Sequence, residues 1–590
     1  MRWGVDGHSF TLVELVTAPI RYFLHAVGPM CVVYCLAVSL LGRGAEADAH
    51  PHDQQSGLLW LWCCCEAAWF GYSVYRIQRL GKPQPPLADN PGRFPYEDRR
   101  TILEEVFVAE CATPEQGRAF IEGWFFGAPY DTLTRGIVLD FIAKAGYNCG
   151  RAALQRQADA ARVDSIVDQL EALCGPLLPD KTPTQATTPL MWLYIDSILP
   201  AVCPSPLFLS VLISWGINGI LPWCLMKYGL GMTRVLVKTR GSSSRNHATP
   251  QPPPPPMYVW MTHDSVAATG STPPPIILFH GIGVGLVACY AMLKGILHQR
   301  KQPIWMVELP HISCSMAYTG SDVPTPRQTA DAIESILVEY GYTSDSGGDG
   351  ERDGTCAAAA DFVGHSYGSV SVTHLIKYRP SLVRRCLLID PICVGLHKAS
   401  LCHKFVYDPP RDSVKNALQS HVINGGVKLV YVLMRTFWWW ENVLTPSDIE
   451  RISLKGGAGE SNVRDKNNSS GTNGGDSTGA SVDAHRRVGA TATAAEGSTE
   501  GRGRAVSSRT RAKTECSPAY RPAATFFISE HDQYVPGIHM RQDLLEANRA
   551  AAERGLPPIA TVKFWRGAKH GDVCFVPSLS ADVTQWCMDS

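Results

Sequence analysis

Gly364-His-Ser-Tyr-Gly368 sets a serine between two glycines. The run follows the apolar stretch Asp361-Phe-Val and opens the apolar segment Val370 to Tyr378, so it stands where a buried strand turns into a helix. In that setting G-x-S-x-G carries a specific chemistry. A sharp strand-to-helix turn forces the serine into strained φ/ψ and exposes its hydroxyl, and side chains at the flanking positions would meet neighbouring backbone. The same turn aims the N–H of Tyr367 at the place where an oxyanion would form, at a helix N-terminus that favours negative charge. The bland alternative is a glycine-bounded serine that caps a helix. The expectation is therefore Ser366 as a nucleophile and Tyr367 as an oxyanion donor.

The elements that position such a serine are legible from Met257 onward, where strands alternate with helices as in a parallel α/β sheet. Predicted strands are 275–281, 305–309, 361–365, 386–390, 525–529 and 561–565, with helices at 327–338 and 370–378. Four motifs in this region, taken in order, resemble those of the α/β-hydrolase family. His280-Gly-Ile-Gly-Val-Gly285 is similar to the family's loop after the third strand, which implies Ile282 as the second oxyanion donor. Ser366 matches the nucleophile. Ser529-Glu-His-Asp-Gln-Tyr-Val-Pro536 resembles the family's acid turn and implies Asp532 as the acid. Gly567-Ala-Lys-His-Gly571 follows the last strand, where the family puts its base, and implies His570. The order Ser…Asp…His is the one this fold uses. Asp390, at the end of the preceding strand, is the rival acid, since some family members place it there; otherwise it would anchor a loop beside Pro391. His280 is expected to order the oxyanion loop, and His365 to pack in the elbow.

The resemblance implies a serine-hydrolase mechanism. His570 would take the serine proton, Asp532 would hold the imidazole in the required tautomer, and two backbone N–H groups would bind the oxyanion. A cap is expected at 391–451, where the apolar run 427–440 ends in three tryptophans. That run reads as a lid lining an acyl pocket or leaning into a membrane interface, or as a cap helix packed on the domain.

The rest of the chain is less like a soluble enzyme. Of its 590 residues only 18% are charged, with 54 Lys+Arg against 54 Asp+Glu, and zero net charge argues against a nucleic-acid binder. Residues 22–41 are uncharged and long enough to span a bilayer; 57–75 form a second apolar stretch interrupted by Glu66; 197–226 form a third. Arg76, Arg79 and Lys82 after the second stretch make a hairpin with both ends cytosolic one reading, and a single span with an interfacial segment the other. Cations after residue 226 would then fall on the opposite side if the third stretch also crossed. An interfacial or folded-back third stretch removes the conflict, and Pro200, Pro204, Pro206 and Pro222 suit it.

The expected layout is a membrane anchor at 1–85, a helical region at 86–240 and a Pro/Ser-rich linker at 241–256. The α/β-hydrolase domain would occupy 257–590, with a disordered insertion at 456–515. The segment Glu122-Gly-Trp-Phe-Phe-Gly-Ala-Pro129 resembles one in uncharacterised membrane-attached α/β hydrolases of fungi and related microbes. The 19 cysteines form no C-x2-C pair, so neither a zinc site nor a disulfide framework is indicated, and no cofactor is expected. Cys63-Cys-Cys65 lies in an apolar stretch and is expected to be acylated or buried. The leading reading is a membrane-anchored, cytosol-facing serine hydrolase acting on a lipid-like ester. An acyltransferase using the same residues reads identically, and a non-catalytic membrane scaffold is the contrasting class.

Overall fold

A computed structural model describes residues 2–5, 8–41, 54–80, 102–106, 110–154, 157–180, 189–191, 204–238, 255–262, 273–299, 302–314, 323–342, 360–411, 413–414, 416–417, 427–453 and 523–589. Outside them lie the expected linker, save its last two residues, and the whole of the expected insertion at 456–515.

A hairpin of β1 (Arg2–Val5) and β2 (His8–Thr11) leads into helix α1 (Leu12–Leu41), which packs against α2 (Gln54–Leu80). Every other strand among the described residues joins one eight-stranded sheet. These are β3 (Met232–Leu236), β4 (Tyr258–Thr262), β5 (Ile276–Phe279), β6 (Ile304–Val307), β7 (Ala360–His365), β8 (Val383–Ile389), β9 (Ala524–Ser529) and β10 (Ala560–Trp565). Their order across the sheet is β10-β9-β8-β7-β5-β6-β4-β3. From β10 to β6 all neighbours are parallel, whereas β4 meets β6 and β3 antiparallel. Sequence reading missed β3 and β4. The sheet in fact takes its edge strand from ahead of the stretch 241–256, inside the region expected to be helical.

The central strands are buried on both faces because helices cover both, as parallel sheets require. Alternation along each strand divides the core. Ile277, Phe279, Trp305, Val307 and Phe362 point into one cluster, while Ile276, Leu278, Ile304, Met306 and Val363 point into the other. Helix Pro326–Glu339 opens with a reciprocal cap: Thr325 Oγ1 accepts from Gln328 N (3.2 Å), and Gln328 Oε1 accepts from Thr325 N (2.9 Å).

The first of these clusters continues beyond the sheet. Helices Pro114–Trp124, Arg135–Tyr147 and Gln157–Cys174 bury Ile121, Phe141, Val163 and Leu170 in the same core as the cap. Trp439 Nε1 of the cap donates to Ala145 O at 2.9 Å. Trp438, Trp439 and Trp440 are all buried, so this run packs inward instead of leaning into an interface.

The third apolar stretch forms one helix, Leu207–Gly229, and does not fold back among the described residues. Its N-terminus is held by α2: Glu66, buried in the middle of that helix, accepts from the backbone N–H of Leu207 (2.6 Å) and Phe208 (2.9 Å). A carboxylate that looks misplaced in an apolar helix thus satisfies two donors that a helix start leaves open. The segments Val16–Leu40 and Leu207–Gly229 are long and apolar enough to cross a membrane. Tyr22, Phe23, Met30, Leu40, Trp215 and Ile220 on them are exposed.

Candidate active site

The residue that decides the site's geometry is Ser366. It follows the last residue of β7, adopts φ +54°, and its N–H donates to Ile389 O of the neighbouring strand (2.9 Å). Helix Gly368–Tyr378 starts two residues later. Both flanking glycines are sterically required. A Cβ on Gly364 would lie 2.7 Å from Gly368 O, and one on Gly368 would lie 2.1 Å from Phe279 O. A left-handed serine between such glycines, where the central parallel strand of this order runs into a helix, fixes the architecture. This is the α/β-hydrolase fold, with a helical cap after β8 and an N-terminal helical region ahead of the sheet.

Within that frame, the sheet brings together residues more than two hundred positions apart. Ser366 Oγ lies 2.8 Å from His570 Nε2, and His570 Nδ1 lies 2.6 Å from Asp532 Oδ2. The other Asp532 oxygen accepts from the N–H of Tyr534 (2.9 Å) and Val535 (3.0 Å), which fixes the carboxylate in the turn after β9. Tyr534 packs edge-on against the His570 ring, and Phe405 of the cap packs on Tyr534.

The rival acid sits just behind. Asp390 follows β8 with φ +44°. Its Oδ1 accepts from Ser529 N (2.9 Å) and its Oδ2 from Gly571 N (3.1 Å), so it ties the end of β9 to the loop carrying His570. Its carboxyl comes within 4.8 Å of those of Asp532 and the ring of His570 without bonding to the ring. Burial and then the negative charge of Asp532 push the Asp390 carboxyl up to about 6, against the pull of His570 and the two N–H donors.

The loop after β5 is the one expected to carry the second oxyanion donor. The ring of His280 donates from Nδ1 to Gly281 O (2.8 Å) and accepts at Nε2 from Leu309 N (3.0 Å). Because the backbone N–H can only donate, the tautomer is set, and burial holds the ring neutral. Gly281 approaches the serine so closely that a Cβ there would sit 2.9 Å from Ser366 Cβ. Ile282 follows it. Tyr367 N begins the elbow helix on the opposite side. Beside the serine, the buried ring of His365 has no hydrogen-bond partner among the described residues. Burial, then the charges of His570 and His280, hold it down to about 3.

Ile282 also lines an apolar cavity that opens to solvent. Leu396, Phe405, Leu433 and Phe437 of the cap line it, and so do Leu103, Val106, Phe120, Trp124 and Phe141 of the N-terminal region. Sequence reading assigned part of this wall to the cap but gave the N-terminal helices no place in the site. Nothing in their local pattern pointed there, because they reach the cavity only by packing onto the cap.

No protein-family model matches the sequence, and no curated protein does. Among solved structures, the chain is similar to a carboxylesterase from Nitrososphaera gargenis, at 10% identity over 57% of this chain and 94% of that one, with a TM-score of 0.32. A carboxylesterase from Bacillus subtilis matches at 12% identity over 63% of this chain and 97% of that one, with a TM-score of 0.30. A bacterial membrane phospholipase A matches at 10% identity over 65% and 96%, with a TM-score of 0.32.

Proposed function

We propose that this chain is a membrane-anchored serine hydrolase that cleaves a carboxylic ester through an acyl-enzyme on Ser366. The observation that carries the reading is the unbroken hydrogen-bonded line from Ser366 Oγ through His570 to Asp532, at 2.8 and 2.6 Å. In this reading Ser366 Oγ attacks the ester carbonyl carbon while its proton passes to His570 Nε2. Asp532 stabilises the imidazolium that forms and keeps Nδ1 as the donor. The carbonyl oxygen, now negative, takes the N–H groups of Ile282 and Tyr367. When the tetrahedral intermediate collapses, His570 returns the proton to the departing alcohol. Water, activated by the same ring, then attacks the acyl-enzyme and frees the acid; an alcohol in its place would make the enzyme an acyltransferase.

The anchor would be α1 with α2 and the helix Leu207–Gly229. The cation-bearing ends of the second and third of these helices both join the catalytic body. Ile77 of α2 packs with Val430 and Met434 of the cap, and Leu207–Gly229 runs directly into β3. On this reading Arg76, Arg79 and Lys227 lie on one side of the membrane, which favours a cytosol-facing catalytic domain. A fluorophosphonate probe tests the enzyme reading directly. Wild type should be labelled and Ser366→Ala should not; an unlabelled wild type would leave a membrane scaffold.

A further inference from the structure

Resting on that reading, we infer that the substrate is a long-chain acyl ester of a membrane lipid, and that the N-terminal helices are one wall of its acyl site. Among the cavity's lining side chains His397 and Cys402 are titratable; burial keeps the Cys402 thiol protonated, and His397 Nε2 is bound to Glu110 Oε1 at 2.8 Å. A head group therefore finds no free charge inside, whereas a hydrocarbon chain finds aromatic and aliphatic side chains on every side. Ile282 joins the cavity to the oxyanion loop, so an ester whose carbonyl oxygen meets that loop directs its acyl chain inward.

Two ties hold the wall shut. Glu110 bonds His397 and lies 3.3 Å from Lys398 of the cap, and Trp439 donates to Ala145 O. Burial alone would raise the Glu110 carboxyl, but its bond to His397 and the charges of His397 and Lys398 bring it below its ordinary value. On the outer side, Val430 and Met434 line the cavity and also pack with Ile77 of α2. The acyl site thus shares side chains with a helix of the proposed anchor, which favours bilayer lipid as the source. The N-terminal region is then part of the substrate site, not a spacer between anchor and enzyme.

The test uses full-length protein in detergent and fluorophosphonates bearing C2 or C12 chains. Burying each extra methylene favours capture by about four-fold, so wild type should react at least 100-fold faster with the C12 probe. Ala145→Leu on the N-terminal wall and Leu433→Trp on the cap wall should each cut the C12 rate at least ten-fold more than the C2 rate. Equal C2 and C12 rates in wild type overturn the acyl site, and equal loss or equal retention of both rates in the two variants overturns this wall. Failure of both probes to label wild type instead defeats the hydrolase reading. Fatty acid should be released faster from diacylglycerol in phosphatidylcholine vesicles than from dissolved ethyl laurate; the reverse order overturns the membrane source.

Discussion

Replacing Asp532 by asparagine removes the charge 2.6 Å from His570 Nδ1 while keeping the side chain's shape. An amide there presents the wrong group to the ring and no longer stabilises the imidazolium, a change that costs about 10^4 in kcat, or roughly 5 kcal/mol of barrier. Asp390 offers partial compensation. A carboxylate within 4.8 Å of the ring, at an effective dielectric near 20, attracts its positive charge by about 3 kcal/mol. Losing the Asp532 charge also removes the second of the causes that raise the Asp390 carboxyl, so Asp390 ionises more readily in the variant. Asp390 cannot supply the tautomer, however, because its two oxygens are already held by Ser529 N and Gly571 N. Asp390→Asn should act only by loosening those bonds, at roughly 1–3 kcal/mol, or about 10- to 100-fold. The assay is p-nitrophenyl butyrate hydrolysis by both variants from pH 5 to 9, with fluorophosphonate labelling as a second readout. Asp532→Asn should be the more damaged by about two orders of magnitude across that range. The opposite ranking would refute the argument and move the acid to Asp390.

Four further outcomes follow from the same geometry. Gly368→Ala should give no folded protein, measured as loss of soluble, labelled chain after detergent extraction, because its Cβ would lie 2.1 Å from Phe279 O; a folded, active variant contradicts the elbow's packing. Burial holds His365 down to about 3, and burial with the Lys377 charge holds His374 to about 4 against its bond to Asn442. Their depressed values add stability that is present above about 6.5 and falls as pH drops, by roughly 1.4 kcal/mol per unit for each ring down to its folded value. Denaturant midpoints at pH 7 and 5 should therefore differ, and His374→Gln should shrink the difference. Glu66→Leu strips the acceptor from Leu207 and Phe208 N–H, costing about 1–3 kcal/mol, and should appear as faster proteolysis in detergent. Asp361, fully buried and bound by Arg384 and Arg385, should cost roughly 3–5 kcal/mol when replaced by Ala, read as a lowered denaturation midpoint.

Much of the active-site side of the sheet was legible because its signals are local. Gly364 and Gly368 flank a serine between an apolar strand and an apolar helix, and the steric reason for both glycines acts within a few residues and the next strand. The strand endings before Asp390, Asp532 and His570 were readable in the same way. Which carboxylate touches the imidazole was legible only through the family resemblance, which favoured Asp532, since β8 and β9 are neighbours and both end at the same rim. That choice is made by the turn Asp532–Val535, which aims one carboxylate at the ring, and by Ser529 and Gly571, whose N–H groups occupy the other.

The strands β3 and β4 were missed for a related reason. Both are short, β3 lies at the sheet edge with Leu236 and Arg234 not buried, and the two gain their identity from antiparallel pairing across a long intervening stretch. Glu66 read as a penalty in an apolar helix until its partners, some 140 positions away, came into contact with it. Sequence by itself thus determined the nucleophilic turn, the strand ends that flank it and the presence of apolar helices, all consequences of sterics and periodicity over a few residues. Tertiary structure alone decided what satisfies the Glu66 carboxylate and that the N-terminal helices wall the cavity. Each of these depends on a contact between segments whose separation along the chain leaves no local trace.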